Sequence, residues 1–288
     1  MKFVRHSDAT AFRERVDEFL LRHEVVHNVI LGITSRIIQQ GEGYDEVFLA
    51  HVENEAGDVV AAAMRTVPHG VILSRITDKN AILLLANEIA DAYDNLPSVE
   101  GQGDDSSQFA ELWKQHHGQD YAIKMELGQY RLETVIPPQN VSGEARIAND
   151  DDFDMLVDWL IKFSADTGLD KNFYQADAEE NIRRKLDKPI LGGIRIWMDN
   201  GQPVSMAAAT RESENGGNVS LVYTPPELRG RGYASAVTAH VSQAILDAGK
   251  KFALLSTDMS FPTSNKIYQA IGYKFVGTQR RIEFENRD

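Results

Sequence analysis

The chain has 288 residues, of which 42% are hydrophobic and 25% charged, a composition typical of a packed globular protein rather than a disordered one. Its 43 Asp and Glu against 30 Lys and Arg give a net charge of −13, which argues against a nucleic-acid-binding protein because phosphates attract basic surfaces. The absence of cysteine excludes disulfides, thiolate metal ligands and a cysteine nucleophile.

The sequence lacks a segment typical of secretion or membrane insertion. Lys2, Arg5 and Asp8 carry charge where a signal peptide needs an apolar core. Apolar runs such as residues 81–86 are far shorter than the ~20 residues that cross a bilayer. We therefore expect a cytoplasmic protein that acts as a monomer or homodimer, without membrane or nucleic-acid contact.

The first half predicts a helix followed by strands. Apolar residues recur at helical spacing near the start, at Phe12, Val16, Phe19 and Leu20. Two strands, 47–52 and 59–66, flank a turn, and a third at 71–76 leads into a long helix. Pro137 and Pro138 then open a Ser- and Gly-containing connection that predicts a domain boundary, with domains 1–138 and 139–288.

The second half repeats this pattern. Residues 61–65 and 207–211 both read Ala-Ala-Ala-x-Arg, and the run 128–133 resembles 277–283 with one residue inserted. Each half predicts strands interleaved with helices, which indicates an α/β (α+β) architecture with helices covering a mixed central sheet. We interpret the chain as two tandem copies of one fold.

The segment 218–234 carries the strongest chemical signal. An apolar strand ends at Tyr223, prolines follow, and Arg-Gly-Arg-Gly at 229–232 precedes a helical stripe that ends near Gly249. A helix N-terminus offers unpaired N–H groups and partial positive charge, and glycines let an anion approach the backbone. The spacing matches neither common nucleotide loop, so a tight turn with solvated arginines stays open as an alternative.

Arg229-x-x-Gly232-x-Ala234 after a strand resembles the R/Q-x-x-G-x-G/A signature of the GNAT N-acetyltransferase superfamily. The downstream run of Asn265, Tyr268 and Gly272 resembles the closing element of that family. The resemblance covers residues from about 141 to 288. It implies a GNAT fold in two tandem copies, acetyl-CoA as co-substrate and acetyl transfer to a primary amine.

The resemblance also implies roles for individual residues. Residues 222–224 would pair with the pantetheine arm, residues 229–234 would hold the pyrophosphate, and the Asn265 amide would meet the pantetheine. Tyr268 would be the general acid that protonates the departing thiolate. The implied cofactor-binding set is Val222, Tyr223, Thr224, Arg229, Gly230, Arg231, Gly232, Tyr233, Ala234 and Asn265. Tyr268 as a core aromatic and Asn265 as a helix cap remain alternatives.

The general base is not identified by the sequence. Glu212, at the end of a predicted strand, is a candidate, although a solvated carboxylate beside Glu214 is the better interpretation and a water chain could take the place of a base. A different class of function, a non-catalytic acyl-CoA-binding module that keeps Tyr268 only for packing, is the main alternative to an acetyltransferase.

The first half departs from the GNAT pattern at the corresponding loop. Residues 77–83 contain no glycine, and Asp78 stands where a phosphate would bind. We therefore expect a degenerate GNAT-like domain without a pyrophosphate loop.

The first half also contains a competing motif. His23, Glu24 and His27 fit H-E-x-x-H, which on one helix would bind zinc in a metallohydrolase. The extended form fails because Ile30 replaces a required glycine. Glu46 or Glu53 could be a third ligand, but nothing singles either out. A buried histidine pair or a junction between two short helices explains the motif better, and we expect no metal site.

Overall fold

The computed structural model of the protein describes residues 1–41, 43–168 and 174–285. The chain folds into two compact units. The first unit contains residues 1–129, 257–261 and 276 onward, and the second contains residues 130–256 and 262–275. The connection at 137–143 falls inside the second unit, and the boundary after residue 138 stays a prediction.

The two halves of the chain have the same order of elements: a strand, two helices, three strands, a helix, a strand, a helix and a strand. The first half consists of β1 (Lys2–His6), α1 (Ala9–Leu21), α2 (Asn28–Gln40), β2 (Val47–Glu53), β3 (Val59–Thr66), β4 (Val71–Leu73), α3 (Asn80–Ala92), β5 (Ser98–Gln102), α4 (Gly103–His117) and β6 (Tyr121–Leu132). The second half consists of β7 (Glu144–Ile147), α5 (Phe153–Thr167), α6 (Gln175–Asp187), β8 (Ile194–Asp199), β9 (Gln202–Glu212), β10 (Gly216–Tyr223), α7 (Tyr233–Asp247), β11 (Phe252–Asp258), α8 (Pro262–Ala270) and β12 (Lys274–Phe284). The matched Ala runs fall in equivalent strands, β3 and β9, which confirms the predicted duplication.

Each unit has a mixed sheet that uses a strand from the other copy. In the first unit the order is β1-β2-β3-β4-β5-β12-β6, with β4 and β5 parallel and β12 antiparallel to β5. Gln279 faces Gln102 and Ile282 faces Val99 across that last pair. In the second unit the order is β11-β10-β9-β8-β7, and residues 130–132 at the end of β6 lie beside β11.

Helices cover both faces of the first unit's sheet because its central strands are apolar on both sides. Ala61 and Ala63 of β3 belong to the core under α3 and α4, whereas Ala62 and Met64 belong to the core under α1 and α2. This alternation is the period of two that a strand imposes. Small alanine side chains let the helices approach the sheet closely.

The second unit repeats this arrangement around β9. Ala207 and Ala209 pack in the core that contains α7, and Met206 and Ala208 pack in the core that contains α5. The predicted α/β architecture with a mixed sheet between helices is therefore confirmed. None of the described helices combines the length and the hydropathy needed to cross a bilayer.

Candidate functional site

The end of β10 departs from regular sheet geometry. Its register with β9 shifts between Ser220 and Tyr223. Leu221 and Val222 consequently stand opposite the single residue Ala207, which defines a β-bulge. Leu221 has a φ of 54°, a conformation that non-glycine residues rarely adopt. The bulge disrupts the ladder and directs the backbone of β10 out of it.

β10 and its parallel neighbour β11 also separate from one another. Their register ends with Asn218 opposite Leu254, although both strands continue beyond that pair. An opening between parallel strands exposes backbone donors and acceptors to an extended ligand. The first copy also lacks the bulge described above for β10 and β9. Its equivalent strand, β4, pairs with β3 in continuous register at residues 71–73.

The loop after β10 has glycines where side chains would be strained or would clash. Gly230 and Gly232 have φ values of 79° and 85°. A Cβ at Gly232 would lie 2.7 Å from Cγ2 of Val141, so this position has no room for one. At Gly230, apart from the residue itself and its two chain neighbours, no atom in the described part of the chain lies within 4 Å of the corresponding Cβ position. The loop backbone is therefore open to a ligand on that side.

Helix α7 begins at this loop with uncapped amides. The Ala236 N–H donates to the Gly232 carbonyl at 3.0 Å, so the N–H groups of residues 233–235 have no acceptor within the helix. Among the described residues no side chain caps this end. The helix has 15 residues, and its N-terminus presents donors and partial positive charge suited to an anion.

Two side-chain contacts fix the shape of the loop. Arg229 donates from Nε to the Thr224 carbonyl at 2.9 Å and from Nη2 to Asp166 at 2.5 Å. The buried Tyr233 donates its hydroxyl to Asp199 at 2.6 Å, and this bond lowers the pKa of Asp199. Arg229 and Tyr233 thus hold the loop, while the Arg231 side chain is exposed.

The three predicted pantetheine positions lie at or beside the bulge. The Ser205 hydroxyl donates to the Tyr223 carbonyl at 2.9 Å, and its oxygen lies 2.8 Å from Oγ1 of Thr224. Tyr223 and Thr224 are buried, whereas Val222 is partly exposed. Of the three, Val222 is therefore the most accessible to a ligand.

Helix α8 carries the other two predicted residues, Asn265 and Tyr268. Tyr268 packs against the core of the second unit, with its ring centroid 6.2 Å from that of Tyr273. Burial raises the pKa of Tyr268 to about 12, so the hydroxyl keeps its proton at neutral pH and can donate it. Asn265 accepts a hydrogen bond at Oδ1 from the Tyr130 hydroxyl at 2.8 Å.

The candidate base Glu212 lies at the opposite end of β10. It faces Gly217, near the start of that strand, whereas the bulge and the glycine loop lie at its end. Its half-exposed carboxylate forms an ion pair with Lys250 at 3.1 Å. This position favours the alternative of a surface carboxylate.

In the first copy, a side chain of the corresponding loop binds the N-terminus of the helix that follows it. Oδ1 of Asp78 accepts a hydrogen bond from the N–H of Asn80, the first residue of α3, at 3.1 Å. The carboxylate therefore lies at the positive end of the helix, where a bound anion would otherwise sit. This contact supports the interpretation of the first loop as degenerate.

A cavity next to that loop in the first unit is lined partly by ion-paired side chains. The cavity has a volume of about 480 Å³. It is lined by Lys79, Gln102, Gly103, Asp104, Asp105, Glu126, Thr278 and Arg280. Lys79 pairs with the buried Asp105, and Arg280 donates to Glu126 at 3.2 Å. The acidic side chains at the start of α4 make this cavity a poor site for a pyrophosphate.

The zinc alternative is wrong because the H-E-x-x-H residues do not share a helix. Residues 22–27 form turns between α1 and α2, as the helix-junction interpretation predicts. His27 donates from Nδ1 to the Leu20 carbonyl at 2.8 Å and accepts at Nε2 from the Arg75 N–H at 2.9 Å. Both ring nitrogens are therefore engaged, and His23 contacts the Arg75 guanidinium at 2.8 Å. The described residues contain no group of three or more His, Asp or Glu that could hold a metal ion.

Sequence reasoning missed several residues of this site. The bulge at Leu221 has no local signal, since the run 218–223 contains neither glycine nor proline. Asp166, Ser205 and Tyr130 are distant in sequence from the segments that they contact. Such partners follow from tertiary packing and have no motif of their own.

Comparisons with known proteins identify the fold. Residues 198–282 match the model of the FR47-like protein family. No curated protein matches the chain. A GCN5-related N-acetyltransferase from Sphaerobacter thermophilus is similar in structure, with a TM-score of 0.64, 16% identity and coverage of 98% of this chain and 95% of that one.

Two further structures are similar along the whole chain. A GNAT-family acetyltransferase from Colwellia psychrerythraea has a TM-score of 0.58, 10% identity and coverage of 100% of both chains. A tandem GNAT protein from the clavulanic acid biosynthesis pathway has a TM-score of 0.55 and 11% identity, covering 100% of this chain and 99% of that one. The chain therefore has the GNAT fold in two tandem copies, and its second copy contains a segment similar to the FR47-like family.

Proposed function

We propose that the second unit binds acetyl-CoA and transfers its acetyl group to a primary amine. This proposal rests on one observation: a bulge, a glycine loop and an uncapped helix N-terminus follow one another directly between Leu221 and Tyr233. One stretch of chain thus offers a backbone edge for an extended arm and, directly after it, donors for an anion. A pantetheine arm joined to a pyrophosphate has both features.

The residues present fit this ligand. The N–H groups of residues 230–234 would hold the pyrophosphate, with Gly230 leaving the approach open and Gly232 keeping the turn tight. The exposed Arg231 adds positive charge near the loop. Val222 would pair with the pantetheine through its backbone, and Asn265 would contact it through its amide.

Acetyl-CoA supplies an activated acyl group, so the protein needs neither a covalent intermediate nor a cysteine. Its own residues must hold the thioester, receive a proton from the amine and give one to the sulfur. Tyr268 is the proposed donor for the last step, because it stands at the position that the GNAT resemblance gives to the general acid and its hydroxyl is protonated at neutral pH. Glu212 stays only a predicted base, because it lies at the opposite end of β10 from the bulge and pairs with Lys250.

Titration of the chain with acetyl-CoA tests the binding site. Gly232→Asp adds a side chain that would clash with Val141 and a negative charge at the loop, and we expect it to abolish binding. Gly57→Asp is a matched control, since Gly57 lies in a surface turn with a similar φ of 84° and open space around it. Equal affinity in the wild type and Gly232→Asp would refute the assignment of the loop.

A screen of primary amines for release of free CoA tests catalysis separately. The net charge of −13 favours cationic acceptors as a class. Acetyl-CoA binding without CoA release from any amine would support the non-catalytic alternative. The cytoplasmic location and the monomeric or homodimeric state stay predictions.

A further inference from the structure

Tyr130 belongs to the last strand of the first copy, yet it is built into the second unit. Strand β6 enters that unit at this residue. The Tyr130 side chain is 1% exposed and forms part of the unit's core. Its ring packs edge-on against Phe275, with centroids 5.6 Å apart. The position of Tyr130 is therefore fixed by packing on all sides of its ring.

The Tyr130 hydroxyl contacts one face of α8. It donates to Oδ1 of Asn265 at 2.8 Å and forms a hydrogen bond with the side chain of Gln269. These two residues are four apart, which places them one turn apart on the same helix face. Burial raises the pKa of Tyr130, so its hydroxyl remains a donor at neutral pH. Because Oδ1 receives this bond, the Asn265 amide is held with Nδ2 directed away from Tyr130.

The other copy makes the equivalent contact with a different side chain. Gln129 and Gln279 occupy matching positions in the two last strands, and their side chains are hydrogen-bonded to each other at 2.9 Å. The next residues, Tyr130 and Arg280, therefore correspond. In the first unit Arg280 donates to the hydroxyl of Ser107, in the first turns of α4, at 2.7 Å. Strand β12 thus contacts the beginning of α4, which follows β5. In the same way, β6 contacts α8, which follows β11.

We propose that Tyr130 is a positioning residue of the acetyl-CoA site. It holds the Asn265 amide so that Nδ2 donates to a carbonyl of the pantetheine arm. The first copy, which has no glycine loop of its own, would in this way complete the cofactor site of the second. This inference rests on the proposed function, since it presupposes that Asn265 meets acetyl-CoA.

Tyr130→Phe tests the proposal because it keeps the buried ring and removes only the hydroxyl. We expect the Kd and the KM for acetyl-CoA to rise about three- to tenfold, as for the loss of one orienting hydrogen bond, while kcat stays unchanged. Tyr93→Phe is the matched control, since it removes a hydroxyl that bonds to Glu46 in the first unit at 2.8 Å. Its acetyl-CoA affinity should equal that of the wild type.

A double-mutant cycle with Asn265→Ala separates positioning from general destabilisation. If Tyr130 acts through Asn265, the double variant binds acetyl-CoA no more weakly than Asn265→Ala alone. Asn265→Asp provides a second probe with Tyr130 intact, because a carboxylate accepts from the hydroxyl but cannot donate to the ligand. It should lose as much affinity as Asn265→Ala.

The outcomes distinguish this inference from the proposed function. Wild-type chain that fails to bind acetyl-CoA would refute both. If the wild type binds but Tyr130→Phe has the same Kd, or if the effects of Tyr130→Phe and Asn265→Ala simply add, only the positioning role is refuted. Undiminished affinity in Asn265→Asp would likewise exclude donation by Nδ2.

Discussion

At the scale of single residues, Tyr268 offers the sharpest test of chemistry. Burial raises its pKa to about 12, so its hydroxyl is protonated across the neutral range. We expect Tyr268→Phe to lower kcat about 100-fold or more in the CoA-release assay, with little change in the Kd for acetyl-CoA. The Phe ring preserves the packing against Tyr273.

Tyr273→Phe is the control for that experiment. The Tyr273 hydroxyl lies 2.8 Å from Oγ of Ser242 inside the core, so its removal should reduce stability and leave kcat intact. A Tyr268→Phe variant with wild-type turnover would show that Tyr268 is only a core aromatic.

The residue scale also shows what a motif can and cannot predict. Gly232 was predictable because a glycine between a strand and a helix indicates a backbone constraint. Its positive φ is such a constraint, and Val141 leaves no room for a Cβ there. The motif position of Arg229 was equally visible, but its pairing with Asp166 was not. A side-chain partner 63 residues away depends on packing that no local pattern encodes.

At the scale of elements, the two copies differ at one helix terminus. The N-terminus of α7 is uncapped over a glycine loop, whereas that of α3 is bonded to the Asp78 carboxylate. This difference is why the proposed pyrophosphate site is at α7 and not at α3. We expect calorimetric titration to give one acetyl-CoA per chain.

The same titration on Asp78→Gly provides the control. This change removes the carboxylate but leaves Lys79 paired with Asp105 and leaves β4 without a bulge, so the stoichiometry should stay at one. A second binding event in the wild-type chain would contradict the interpretation of the first copy as degenerate.

The order of elements was largely predictable, while their irregularities were not. Apolar periodicity and turn residues predict the strands at 47–52 and 59–66 to within a residue of β2 and β3. The bulge in β10 escaped prediction because Leu221 is an ordinary strand residue forced to a φ of 54° by its surroundings. Tertiary contacts decide where a strand leaves its ladder.

At the scale of the whole molecule, the duplication was visible in the sequence but the exchange of last strands was not. Both copies repeat one pattern, so β6 and β12 are nearly equivalent partners for either β5 or β11. The choice between them depends on long-range pairing rather than on local propensity. Such an exchange makes the copies interdependent, because each unit needs a strand that the other copy encodes.

The stability of the molecule should depend on pH through buried histidines of the first unit. Burial lowers the pKa of His27 to about 4, compared with about 6.5 in an unfolded chain, and it also lowers the pKa values of His6 and His51. Because the folded protein favours the neutral rings, their stabilising contribution is complete above about pH 6.5 and is lost as the pH falls toward 4. His27 alone would account for a decrease on the order of 3 kcal/mol in the free energy of unfolding.

Urea unfolding at a series of pH values between 7 and 4 measures this decrease, and a histidine variant assigns it. In His27→Gln the stability at pH 7 should be lower, because the bonds to Leu20 and Arg75 are lost, but its decline toward pH 4 should be clearly shallower. His69→Gln removes an exposed histidine of the same unit and should keep the wild-type slope. Parallel pH profiles for the wild type and His27→Gln would mean that His27 does not titrate differently in the folded and unfolded states. The decline would then arise from other groups, such as His6 and His51, whose Nε2 and Nδ1 atoms lie 2.8 Å apart.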